Sequence, residues 1–397
     1  MSHVTKPAEI ISLGVMVTIG NLTPYALPVI VGALVDHLHL EPRLAGYLGT
    51  AELIGLGLGA AIFSAVILKV SWRLFALSAI ILSILANVAT PFAGGVPMLF
   101  VIRFFSGLGG GMLLAMAAAG LSSTRSPERV LGSVQIFGLF FSGAVLYTFP
   151  LLLKASGAVA MFFAVAGLNV AASLLIVLIP RKSPYIAGLE KAALNPAAPT
   201  APRVVIARPP LLISFSTLSG IFLFFTGAMG FWVFFERVGV AASFSTESLA
   251  KVFGSSQIMG AAGALTAVLV ATRLGSRLLP MGFAILLAAT CAFLMTMHAG
   301  LAAYAIAGSG FIYSWGVVYP YMMGIAISLD PSARIVGYAL ALQTVGKSVG
   351  PALAASLVVG TNYTGVYWLC FGLFLASMIC FLPAIFSTDK VLKAGRQ

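Results

Sequence analysis

Twelve long apolar runs constrain this chain more than any other feature: residues 10–35, 44–70, 74–92, 98–121, 130–153, 158–179, 211–235, 249–271, 279–297, 301–327, 335–359 and 366–385. A helix needs about 20 mostly apolar residues to cross a hydrocarbon core about 30 Å thick, whereas a barrel strand needs about 10 of alternating polarity. The runs are unalternated and of helix length, so each reads as a spanning helix, numbered run 1 to run 12. Composition closes off the alternatives. Charged residues make up 8% of the chain and hydrophobic ones 60%, whereas a water-soluble domain carries about 25% charged residues. The 42 glycines follow no three-residue period, which excludes a collagen-like chain, and the apolar content excludes disorder. Run 1 is too long for the apolar core of a signal peptide, and Asn21, Pro24 and Pro28 interrupt it without a cleavage site. It is retained as a helix.

Lysine and arginine in short loops stay on the cytoplasmic side. With the N-terminus placed inside, 16 of the 22 fall on that side. Arg43, Lys154, Arg237 and Lys251 fall on the other face, and Arg103 and Lys347 fall within runs. Both termini are therefore expected in the cytoplasm. The net charge of +12 reads as this topological signal together with contact to anionic lipid headgroups, not as a nucleic-acid footprint. Cys291, Cys370 and Cys380 all lie in apolar runs and are odd in number, so neither a disulfide nor a metal site is expected.

The long polar stretch, rich in Ala, Pro and basic residues, separates six runs from six. The expected domains are an N-terminal six-helix bundle over 1–180, a cytoplasmic linker over 181–210 and a C-terminal six-helix bundle over 211–397 with a short cytoplasmic tail. The halves share motifs at an offset of about 205 residues. Gly49–Gly55 in run 2 matches Gly254–Gly260 in run 8; Lys69–Arg73 after run 2 matches Arg273–Arg277 after run 8; Arg129–Gly132 entering run 5 matches Arg334–Gly337 entering run 11. Six plus six in one orientation describes parallel repeats about an axis along the membrane normal.

With these features the chain resembles the major facilitator superfamily of secondary transporters over nearly its whole length. The segment Arg103-Phe104-Phe105-Ser106-Gly107-Leu108-Gly109 in run 4 is similar to that family's R-x-x-x-G-x-G motif. The turn after run 2 departs from the family pattern, with Leu68 in place of Asp and Ser71 in place of Gly. Run 5 lacks the G-x-x-x-G-P signature of drug/proton antiporters, although Gly346–Pro351 reproduces that spacing in run 11. The resemblance implies an all-α membrane protein of 12 transmembrane helices in two pseudo-symmetric six-helix bundles. Runs 1, 4, 7 and 10 would line a central cavity, with runs 2 and 11, and 5 and 8, packed between the halves. It further implies a multi-pass protein of the bacterial inner membrane that acts as a monomer on a small-molecule substrate, with protons as the coupling partner.

An ionisable group at membrane depth costs at least about 2.5 to 3.5 kcal/mol on insertion scales, so it faces a partner or a wet cavity and marks a functional candidate. Glu52 lies about nine residues into run 2 from its outer end, and Lys347 about thirteen into run 11 from its inner end. At 1.5 Å per residue both fall in the middle third of the membrane. If runs 2 and 11 pack as the resemblance implies, the two can pair. Lys347 is then expected to receive an anionic group of the substrate while Glu52 competes for the ammonium or takes up a proton. Gln343, one turn before Lys347, can complete the anion's hydrogen bonds. Gln257 occupies the repeat position of Glu52, so only the N-terminal half keeps a titratable group there. Arg103 has two readings: a charge that draws in an anion or tunes Glu52, or support for the close packing of Gly107, Gly109, Gly110 and Gly111.

Further cavity candidates are Asn21, Thr23 and Tyr25 in run 1, Phe225, Thr226 and Trp232 in run 7, and Tyr313, Trp315, Tyr319 and Tyr321 around Pro320 in run 10, because interrupted helices point to transporter binding sites. Glu9, Asp36, Glu41, Glu236 and Asp330 fall at run ends and read as solvated. The leading functional expectation is a proton-coupled or exchange transporter of a small organic anion, a carboxylate with an apolar or aromatic body. A basic residue in run 11 resembles the oxalate and monocarboxylate branches of the family. The alternative is a proton-coupled exporter of lipophilic compounds using Glu52 and Arg103. Membrane-embedded enzymes need a nucleophile with a base, or a metal cluster. His3, His37, His39 and His298 are scattered outside the runs, and no zinc, Cys/His or phosphate-loop motif occurs, so neither catalysis nor a cofactor is expected.

Overall fold

A computed structural model describes residues 6–124, 127–181, 211–270, 277–297, 300–329 and 334–394. The expected linker beyond Arg181, Arg273 of the second basic turn, His3, His298 and Asp330 lie outside them. The described chain is nearly all helix: α1 (Pro7–Gly20), α2 (Leu22–Leu38), α3 (Pro42–Val66), α4 (Trp72–Ala89), α5 (Val96–Ser122), α6 (Pro127–Ser173), α7 (Leu211–Val233), α8 (Phe235–Ala241), α9 (Thr246–Val270), α10 (Leu278–Thr296), α11 (Leu301–Leu329), α12 (Arg334–Ser356) and α13 (Thr364–Ala394). The β-pairing among the described residues is one isolated bridge, Val359 with Asn362.

Local chemistry explains the interruptions. Run 1 splits at Asn21, whose φ of −90° and ψ of 1° leave the helical path. Pro24 has no N–H to offer the Gly20 carbonyl and its ring crowds that oxygen, while the Asn21 amide donates to Val17 O at 3.0 Å and closes the last turn. Runs 5 and 6 both lie in α6, in which two helices meet across a kink. The join is Gly157, with φ 76° and ψ −178°, a conformation that costs a residue with a Cβ.

Ten stretches among the described residues are long and apolar enough to cross a bilayer. One of them contains both runs 5 and 6. Run 11, seen as α12, falls below that apolarity because Gln343, Thr344, Lys347 and Ser348 occupy its middle.

The described residues fall into two compact units. Residues 6–26, 51–142 and 152–181 form the first. Here α1 and α4 both pack on α5, around a core that includes Leu13, Met16, Phe63, Trp72, Leu113 and Met116. Arg73, in the basic turn after run 2, donates from Nε to Ile179 O at 2.6 Å. Residues 27–50, 143–151 and 211–394 form the second unit. There α7 packs on α12 and α13, and α11 on α9 and α10, with an aromatic core in which Phe231 stacks on Phe311 at 4.2 Å and Phe235 on Tyr304 at 4.3 Å.

Candidate functional site

In the first unit, α3 and α5 cross with their backbones in contact. A Cβ on Gly107 would overlap the Glu52 carbonyl oxygen, one on Gly111 the Leu56 carbonyl, and Gly55 and Gly59 of α3 meet the Phe104 and Leu108 carbonyls in the same way. Small residues at such a crossing permit the close approach. Arg103 lies one turn before Gly107 and so shares its face, which brings the guanidinium to Glu52.

Both side chains are fully buried, and Arg103 Nη1 lies 3.2 Å from Glu52 Oε1. The same oxygen accepts from Ser106 Oγ at 2.8 Å and from Thr23 Oγ1 at 3.1 Å. Arg103 Nη2 donates to Thr90 Oγ1 at 2.6 Å and Asn87 Oδ1 at 3.2 Å, and the guanidinium lies 5.2 Å from the centre of the Phe162 ring. Glu52 Oε2 and Arg103 Nε are buried without a partner. Three donors therefore converge on one carboxylate oxygen and none on the other, so a lone pair stays open on a buried carboxylate. The two readings of Arg103 meet here: it is a charge partner seated at the glycine crossing.

In the second unit, α12 lies close against α7. A Cβ on Gly346 would stand 2.7 Å from Phe222 O, and one on Gly350 would overlap Thr226 O. Lys347 Nζ lies 5.2 Å from the centre of the Phe225 ring and 5.9 Å from that of Trp315. Phe225 meets Trp315 at 5.5 Å and Tyr319 at 6.3 Å, both edge to face. Among the described residues of its own unit no carboxylate comes within 4.0 Å of Lys347. Gln343 is buried and its Oε1 has no hydrogen-bond partner.

The repeat is unequal at this site. At the 205-residue offset Phe225 corresponds to Gly20 and Trp315 to Gly110. In the first unit these glycines touch: a Cβ on Gly20 would come 2.8 Å from Gly110 O. The second unit has aromatic rings at the same two positions, and the ammonium lies over their faces. In turn, Glu52 and Arg103 correspond to Gln257 and Gly308, and Asn87 and Thr90 to Ala292 and Met295.

The other predicted residues stand apart from these two groups. Asn21 bonds its own helix turn. Tyr25 faces α6, its hydroxyl 3.2 Å from where a Cβ on Gly138 would stand. Tyr313 donates to Thr266 Oγ1 at 3.0 Å, and Gln257 is buried against Gly143 of α6.

A family model described as Major Facilitator Superfamily matches residues 11–334. The chain belongs to the major facilitator superfamily. Its fold is that of membrane transporters, spanning the membrane several times. A D-xylose–proton symporter structure superposes with a TM-score of 0.70 at 15% identity, covering 94% of this chain and 98% of that one. A point mutant of the nucleoside transporter NupG gives 0.72 at 12%, covering 94% and 99%. The inward-open xylose transporter XylE from E. coli gives 0.68 at 15%, covering 94% and 95%. Comparison with curated protein sequences finds no match.

One cluster in this superfamily member corrects the sequence reading. Glu236 and Arg237, read respectively as a solvated run end and a loop charge, are 8% and 4% exposed. Arg237 donates to both Asp36 oxygens, at 2.6 and 2.7 Å, and to both Glu236 oxygens, at 2.5 and 2.7 Å. Gly32 leaves the room, since a Cβ there would stand 2.7 Å from Glu236 Oε2. Tyr363, between α12 and α13, adjoins the cluster; burial pushes its phenol up to about 12, so it remains a neutral hydroxyl.

Proposed function

We propose that the chain moves a small organic anion across the bacterial inner membrane by alternating access, coupled to protons or by exchange. In this reading the 12 spans form six plus six, both termini face the cytoplasm and the transporter works as a monomer. Lys347 takes the substrate carboxylate, Gln343 adds hydrogen bonds, and Phe225, Trp315 and Tyr319 pack an apolar or aromatic body. The observation that carries it is the Lys347 ammonium over two ring faces, with no carboxylate within 4.0 Å among the described residues of its own unit. Cation–π contact is worth about 0.5 to 2 kcal/mol, well short of neutralising an ammonium at membrane depth, so a substrate anion gains a ready partner.

Glu52 and Arg103 serve proton coupling. Glu52 Oε2, open and buried, accepts the proton. Neutralising Glu52 removes the counter-charge of Arg103, which makes the first unit's interior electrostatically different in the two states.

The structural neighbours are named for D-xylose and for nucleosides, so neutral polyols belong in the test beside carboxylates and lipophilic cations. Uptake by purified protein in liposomes under an imposed pH gradient is measured for each class. The reading expects carboxylate transport in wild type, loss in Lys347→Ala and partial recovery in Lys347→Arg. Transport of xylose or a nucleoside by wild type and Lys347→Ala alike overturns it.

A further inference from the structure

Asn87 and Thr90, which flank the ion pair from the end of α4, have every hydrogen of their side chains committed elsewhere. Thr90 Oγ1 donates to Ala86 O at 2.8 Å, so only its lone pairs face Arg103 Nη2. The two Asn87 amide hydrogens go to Ser83 O at 2.8 Å and Ser106 Oγ at 3.3 Å, so its Oδ1 is the atom turned to Arg103. Ser106 passes the bond on to Glu52 Oε1. Glu52, Arg103, Asn87 and Ser106 therefore form a closed ring of hydrogen bonds. Both acceptors are buried, at 2% exposure for Asn87 and 0% for Thr90, and their orientation cannot relax towards water.

We propose that Asn87 and Thr90 are positioning residues that hold the Arg103 guanidinium in place when Glu52 is neutral, and thereby set how readily Glu52 takes a proton. The inference rests on the reading of Glu52 as the proton acceptor. When a proton binds Oε2, Arg103 becomes a buried cation without its counter-ion. Glu52 Oε1 stays beside Nη1 only as a neutral carbonyl acceptor, and the acceptors on Nη2 are Asn87 Oδ1 and Thr90 Oγ1, with the Phe162 face beside the guanidinium. In the ionised state those same acceptors share Arg103 with the carboxylate and matter less. Their removal therefore disfavours protonation. Among the described residues of the unit, the charged group facing Glu52 is Arg103 from α5; from α2 it meets Thr23, from α5 also Ser106, and α4 reaches it through Arg103.

The test is infrared difference spectroscopy of the full-length protein in liposomes across pH, following the C=O stretch of the protonated Glu52 carboxyl. The band is assigned by its loss in Glu52→Gln on each background. Asn87→Leu and the nearly isosteric Thr90→Val are expected to lower proton affinity about tenfold, moving the midpoint about one unit to acid. Asn87→Asp, which supplies a rival counter-charge, is expected to raise it by a similar factor. A merely structural role lowers melting temperature and leaves the midpoint in place; unmoved midpoints, or leucine and aspartate moving it the same way, overturn the inference and leave the proton-acceptor reading standing. Absence of a Glu52 band at every pH overturns both.

Discussion

Phe225 and Trp315 stand ring to ring at 5.5 Å, 205 residues after Gly20 and Gly110, which stand in near backbone contact. One repeated architecture thus closes one unit with glycine and furnishes the other with an aromatic box for Lys347. The titratable pair has gone the other way, kept as Glu52 and Arg103 in the first unit and replaced by Gln257 and Gly308 in the second. In the proposed function, substrate charge and proton fall to different copies of the repeat.

Breaking the buried ion pair from one side leaves an uncompensated charge, which costs about 3 to 5 kcal/mol. Glu52→Gln and Arg103→Gln are each expected to lower the melting temperature in detergent markedly. The double variant should lose less than the sum, because neither charge is left alone. Strict additivity in this cycle would mean that the two groups do not stabilise each other.

Gly107→Ala forces a methyl group into the Glu52 carbonyl, where only backbone movement can relieve it. Overpacking costs about 1 to 3 kcal/mol, occasionally more, and here it also separates the ion pair, so both stability and proton coupling should fall. Gly132→Ala is the control, since a Cβ there meets nothing within 4 Å. Thermal melting distinguishes the two.

Replacing Lys347 should separate stability from binding. Lys347→Met removes an ammonium from among rings and keeps the packing volume, so the protein is expected to melt higher by the equivalent of about 1 to 3 kcal/mol while losing carboxylate transport. A variant that melts lower would place Lys347 in a stabilising pair.

These charges were legible in the sequence because an ionisable residue inside an apolar run has no inexpensive explanation. The interruption at Asn21 and Pro24 was legible for the same reason. Asn87, Thr90 and Ser106 were not, because an uncharged polar side chain in a helix can satisfy itself on its own preceding turn, as Thr18 does on Gly14 O at 3.0 Å. The burial of Arg237 was also hidden, since distance along a run gives depth but not whether a run end is covered. The division between runs 5 and 6 was legible, since the backbone leaves the helical path at Gly157, between the two runs.

Arg237→Gln leaves Asp36 and Glu236 together without the guanidinium that both use. The variant is expected to be destabilised at neutral pH and to recover as acid neutralises the carboxylates. Asp36→Asn keeps one carboxylate for Arg237 and should be nearly neutral. Melting temperature against pH for the two variants checks this, and an Arg237→Gln deficit independent of pH contradicts it.

The most direct test of the central claim is ligand binding at Lys347, read as thermal stabilisation of the purified protein by a matched series of aromatic carboxylates, their amides and lipophilic cations. A ligand at 100 times its Kd adds about 2.7 kcal/mol to the folded state. The account predicts a carboxylate that stabilises wild type, an amide that does not, and no stabilisation of Lys347→Ala by either. Equal stabilisation by carboxylate and amide, or a carboxylate shift that survives in Lys347→Ala, would contradict it.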